Sequence, residues 1–144
     1  MADEEQEPGK YFSVAEVEAL IPELTRIMER VMGAHSKAQG IQAEFQEEQQ
    51  RIMIAGGALV SVQVWRERAG RLQALTREVE DGLASIARLG GSTKDLGMGL
   101  VDFPFLFEGE EVNLCWRFGE KTIRFWHGLD EGFAGRKPIP EDLR

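Results

Sequence analysis

The side chains able to do chemistry crowd toward the C-terminal end of the chain. His127, Asp130, Glu131 and Arg136 fall within ten residues of one another, interleaved with Gly128, Gly132 and Gly135. Just upstream, alternating stretches carry Asp102, Arg117, Arg124 and Trp126, with Cys115 among them. His127 followed by Asp130 and Glu131 superficially resembles a set of metal ligands. Zinc sites, however, draw on several His or Cys ligands, and the only other histidine is His35, far upstream. The spacing therefore assigns no metal and leaves any cofactor open. A histidine at the end of an apolar strand is more often a hydrogen-bonded core residue than a ligand. No nucleophile motif surrounds Cys115, which reads as a small strand residue. Gly97-Met98-Gly99-Leu100 lacks the lysine and the following helix of a phosphate-binding loop. No catalytic residue is assigned.

The elements that must position these residues have two different grammars, meeting near Gly90-Gly91. Residues 90–144 hold eight of the twelve aromatics and nine of the sixteen glycines, whereas the first 89 are rich in Glu, Gln, Ala, Arg and Leu. Beyond Leu100 the apolar period is two. Residues 101–107, 112–118 and 122–127 alternate, separated by Glu108-Gly109-Glu110 and Gly119-Glu120, which predicts a three-stranded antiparallel meander. With two-residue loops at Gly109-Glu110 and Gly119-Glu120, Phe103, Phe105, Phe107, Leu114 and Trp116 share an apolar face with His127. The opposite face then pairs Asp102 with Arg117, Cys115 with Arg124, and Asn113 with Trp126. Such a face is either solvated or an Arg-bearing surface anchored by Trp126. Pro104, which cannot donate to a ladder, suits an edge strand.

The first 89 residues are helical. Ser13 and Glu16 have the spacing of a capping box, flanked by Phe12 and Val17 as a hydrophobic staple. A seam then runs Val17, Leu24, Val31, Ala38, Phe45 and Ile52, interleaved with Leu20, Ile27, Ala34 and Ile41. Pro22 falls inside it and is expected to kink or interrupt the helix. Gly56-Gly57 marks a reversal. A second seam follows, Val62, Trp65, Ala69, Leu72, Thr76, Val79, Leu83 and Ile86, ending at Leu89-Gly90-Gly91. The expected fold is α+β and mainly α: an acidic tail over 1–12, a long antiparallel helical hairpin over 13–89, and a β-meander with a Gly-rich C-terminal loop over 90–144.

The whole is one structural domain of 144 residues. A net charge of −8 is the wrong sign for general phosphate binding, so nucleic acid is not an expected partner despite Arg66, Arg68 and Arg71. The acidic N-terminus has no apolar leader, no run is long enough to span a membrane, and the single cysteine fits a reducing compartment. A cytoplasmic location is expected.

Several segments resemble an uncharacterised bacterial family, catalogued as domain of unknown function 2203. They are Gly99-Leu100-Val101-Asp102-Phe103-Pro104, Val112-x-Leu114-Cys115-Trp116-x-x-Gly119-Glu120, Phe125-Trp126-His127 and Gly132-Phe133-Ala134-Gly135-Arg136-x-Pro138. Tyr11-Phe12-Ser13 and Ala19-Leu20-Ile21-Pro22-Glu23-Leu24 resemble its opening helix. The resemblance carries no activity, substrate or cofactor. Two functions stand against each other. One is a non-enzymatic interaction or regulatory protein, homodimeric through its hairpin or docking another protein. The other is a small-ligand or metal-binding protein, with or without enzymatic activity, whose site lies where the sheet meets the C-terminal loop. Its candidate residues are Asp102, Arg117, Arg124, Trp126, His127, Asp130 and Arg136.

Overall fold

A computed structural model of the chain describes residues 10–55 and 61–144. Helix α1 runs Val14–Ala55, 42 residues, and α2 runs Val62–Leu89. Strands β1 (Ser92–Asp95), β2 (Leu100–Phe107), β3 (Glu110–Arg117), β4 (Phe125–His127) and β5 (Lys137–Pro138) follow in chain order. They form one antiparallel sheet in the order β1-β2-β3-β4-β5.

The α+β hairpin-and-meander architecture is as the sequence predicts, with five strands in place of three. Each added strand is short and polar, so neither has an apolar period to betray it. The capping box is present. The Glu16 amide donates to Ser13 Oγ at 3.1 Å, and the Ser13 amide donates to Glu16 Oε1 at 2.9 Å. Pro22 does not end α1, which continues through it. Its missing N–H deprives only the Glu18 carbonyl of its usual donor, and tertiary packing outweighs that loss. The second helix is capped by Ser61 and closed by Gly90, whose φ of 102° is the left-handed conformation that glycine adopts without strain. The expected reversal at Gly56-Gly57 lies outside the described residues.

The core lies between the first half of α1 and one face of the sheet. Val17, Ile21, Leu24, Met28 and Val31 recur at helical spacing and pack with Phe103, Phe105, Leu114, Trp116 and Ile123, joined by Ile86 from the end of α2. Phe12 belongs to this core and not to a free tail. Its ring meets Phe103 edge-on at 5.2 Å, and its amide donates to the Pro104 carbonyl at 2.8 Å. Pro104 thus sits in an inner strand, but beyond the stretch that β1 covers, where β2 is locally an edge.

Both turns differ from the two-residue loops expected. The β2–β3 turn is Glu108-Gly109, one residue earlier, with φ of 54° and 81°. Two positive φ values are the signature of a type I′ turn, which suits right-twisted strands. This slides β3 by two residues, so Asp102 stands opposite Cys115 and not Arg117, yet the faces keep their composition. The β3–β4 connection is longer, residues 118–124. Ile123 is buried in the core and its amide donates to Glu18 Oε2 of α1 at 3.0 Å. The resulting register, Asn113↔His127 and Leu114↔Trp126, is one residue from the expected pairing. A one-residue slip turns every side chain of a strand over. Trp126 moves to the helix side, and His127 joins Asp102 and Cys115.

Candidate functional site

Three adjacent strands contribute one donor each to the face of the sheet away from the helices: Asp102 from β2, Cys115 from β3 and His127 from β4. Each is no more than 2% exposed, because the C-terminal loop folds over them. A carboxylate oxygen, the thiol sulfur and a ring nitrogen all lie within 4.8 Å of one another. His127 Nε2 is 3.1 Å from both Asp102 oxygens. On its other side, Nδ1 is 2.9 Å from the Gly128 carbonyl. A carbonyl only accepts, so Nδ1 carries a hydrogen and Nε2 is the nitrogen turned to the site. His127 and Asp102 therefore share one proton between them. Burial pushes the Cys115 thiol up to about 12, and the Asp102 charge adds to the shift. Cys115 is thus a protonated thiol at neutral pH and not a free nucleophile.

A cavity of about 150 Å³ adjoins the three donors, lined also by Lys94, Asn113, Leu129, Glu131 and Phe133. The loop that roofs it is fastened at two points. Glu131 Oε1 accepts from the Gly128 amide at 2.7 Å and from Lys137 Nζ at 2.6 Å. These contacts hold the Glu131 carboxyl below the ordinary carboxylate range, the lysine contact first and the amide second. Arg136 is the second fastening. One guanidinium nitrogen reaches both Glu120 oxygens, at 2.8 and 2.7 Å, and the Cys115 carbonyl at 3.2 Å. Its plane lies against the rings of Phe125 and Phe133, 4.2 and 4.8 Å from their centroids.

Of the seven candidates read from the sequence, two enter the site, Asp102 and His127. Arg136 braces the roof, and Arg117 touches it through the Phe133 ring at 5.4 Å. The Asp102–Arg117 ion pair does not form, because the turn places Cys115 at that position and Asp102 turns to His127. Trp126 is on the helix side, 4.7 Å from the Phe107 ring. Arg124 and Asp130 are exposed. Spacing missed Cys115, whose signal is parity. Placing Gly109 second in the turn, where type I′ geometry favours glycine, sets Asp102 directly across from it. The core-histidine reading of His127 is half right: it is buried and hydrogen-bonded, but a cavity lies beside it.

A sheet whose inner face buries a helix and whose outer face hides an Asp/Cys/His cluster under a loop defines a compact α+β scaffold with a roofed polar centre. The family model described as "Uncharacterized conserved protein (DUF2203)" matches residues 10–139, and the chain belongs to that family. No curated protein and no solved structure matches it. Among the described residues, no helix is long and apolar enough to cross a membrane.

Proposed function

We propose that the protein holds a divalent transition-metal ion on Asp102, Cys115 and His127. The observation that carries this is the convergence of a carboxylate, a thiol and an imidazole, one from each of three neighbouring strands, within 4.8 Å in a buried place. Ligand atoms around tetrahedral zinc stand roughly 3.5 Å apart at bond lengths of about 2.0–2.3 Å, so closing the set needs only small side-chain shifts. The Nδ1–H bond to the Gly128 carbonyl is the arrangement that orients a ligating histidine and raises its basicity.

Charge favours a divalent ion. Without metal, Asp102 and His127 form a neutral pair and Cys115 is a neutral thiol. An ion of charge +2 that displaces the shared proton and the thiol proton leaves the buried cluster neutral again, avoiding an uncompensated charge. Thiolate and imidazole together favour zinc or a similar borderline-soft ion over calcium or magnesium. Three protein ligands with a cavity alongside is the layout of sites that keep a coordination position for water or substrate. A reducing compartment would keep Cys115 available. Zinc titration calorimetry in buffers of different ionisation heat tests the reading. The expected result is release of two protons per ion, falling to one in Cys115→Ser; no saturable heat would refute it.

A second reading, self-association, draws support from the outer half of the hairpin. Met53, Ile54 and Val62 are exposed there, and Phe45, Ala69 and Leu72 line an open groove of about 530 Å³. Acidic Glu44 and Glu47 on α1 and basic Arg66 and Arg71 on α2 would complement one another in a two-fold pair of hairpins. Sedimentation velocity across micromolar concentrations should give a dimer that Ile54→Glu with Val62→Glu dissociates. A monomer throughout would end this reading and leave the metal centre untouched.

A further inference from the structure

Resting on the metal reading, we infer that the cavity beside the Asp102/Cys115/His127 cluster takes a small oxyanion of the carboxylate or carbonate kind, held between the ion and the Lys94 ammonium. Size sets the first limit. About 150 Å³ is the volume of on the order of five waters, too little for a nucleotide or a sugar and enough for an anion of a few heavy atoms.

Backbone geometry sets the second. The β1–β2 pairing steps from Thr93↔Val101 to Asp95↔Leu100, leaving Lys94 as the extra residue of a bulge. Bulges re-aim side chains and recur beside functional sites. Ser92, two residues before Lys94, stands opposite Asp102, so the alternation of the strand brings Lys94 to the face that carries the cluster. Lys94 lines the cavity there together with Asn113.

Charge decides the sign of the ligand. A divalent ion with one carboxylate, one thiolate and one neutral imidazole sums to zero. Glu131 is matched by Lys137 at 2.6 Å. Among the described residues, no carboxylate is paired with Lys94. The loaded cavity therefore has one positive charge left over, and its wall offers an ammonium and an amide as hydrogen-bond donors. An anion that binds the ion through one oxygen and Lys94 through another satisfies both. Leu129 and Phe133 line the cavity beside the cluster, and Lys94 reaches it from an exposed position on β1.

Loading the full chain with Co²⁺ and titrating with sodium acetate or with bicarbonate tests this. A thiolate-to-cobalt absorption reports the metal centre separately from the visible bands that report the open position. The expected result is a saturable change in the visible bands. Lys94→Ala should weaken it by about threefold, and Lys94→Arg should restore it. A response to acetate alone marks a carboxylate ligand, and one to bicarbonate alone marks carbonate. Visible bands unmoved by millimolar anion, with the thiolate absorption intact, would overturn the anion site and leave the metal centre standing, as would equal binding by Lys94→Ala. A chain that takes up no Co²⁺ would overturn both.

Discussion

At the sheet end Asp102 and His127, 2% exposed, satisfy each other within a roofed cluster, while at the outer end of the hairpin Met53 and Ile54 stand 77% and 84% exposed. The same chain thus buries polar groups at one end and presents apolar ones at the other. The inner end is fixed by a five-stranded ladder, a shared core and two loop fastenings. Beyond Ile41, none of the described residues of α1 or of the facing part of α2 is buried. The outer half is joined mainly by the Phe45–Trp65 ring contact at 5.3 Å and by Arg68, which bonds Glu48 at 2.6 Å. A site that must hold donor atoms in place needs the over-determined end. A surface that meets a partner tolerates the looser one.

The largest effect should come from breaking the buried pair. Asp102→Ala leaves His127 without its partner in a water-poor place, and urea unfolding should register a loss of about 3–5 kcal/mol. Met53→Glu, equally drastic in chemistry, should fall within about 0.5 kcal/mol of the parent because its side chain is already in water. Two positions on one seam sharpen the comparison. Ile86→Ala, at the inner end of α2, should cost about 2–5 kcal/mol. Val62→Ala, at the outer end and 64% exposed, should cost about 0.5 kcal/mol or less.

A smaller effect concerns the roof and its pH dependence. The Glu131 carboxyl is held below its ordinary range by Lys137 and the Gly128 amide, so its contribution is present in full above that ordinary range. It is lost as pH falls through the lowered value of the folded protein. Hydrogen exchange at the Gly128 amide should therefore accelerate relative to the core on acidification. Glu131→Gln should remove that dependence. The smallest effect belongs to the turn. Glu108 has a φ of 54°, which Asn adopts more readily, so Glu108→Asn should raise stability by about 0.5 kcal/mol in thermal unfolding.

Local chemistry made the helices legible. A capping box, a seam of fixed period and a glycine stop are all settled within a few residues, so the start of α1 and the end of α2 follow from the sequence, whereas the continuity of α1 through Pro22 does not. The faces of β2 and β3 were legible by alternation, because a two-residue slip between them leaves parity unchanged. The face of β4 was not. Its register depends on Ile123 entering the core and bonding Glu18, 105 residues away, and on the Glu120 side chain capping the Arg117 amide at 2.8 Å. Neither contact leaves a mark in the spacing of residues 118–127, yet together they decide which way His127 points. The candidate site was half visible for that reason. Asp102, His127 and Arg136 were read from their types, whereas Cys115 gains its role only from the two residues that the register brings beside it. Lys94 was missed because a four-residue polar strand has no pattern to read.

Native mass spectrometry of the full chain after exposure to zinc, with and without a chelator, tests the metal centre most directly. One zinc per chain, stripped by the chelator and held by only a minor fraction of Cys115→Ser with the fold intact by circular dichroism, is the result expected. A metal-free mass for the parent protein, or zinc retained equally by Cys115→Ser, would contradict it.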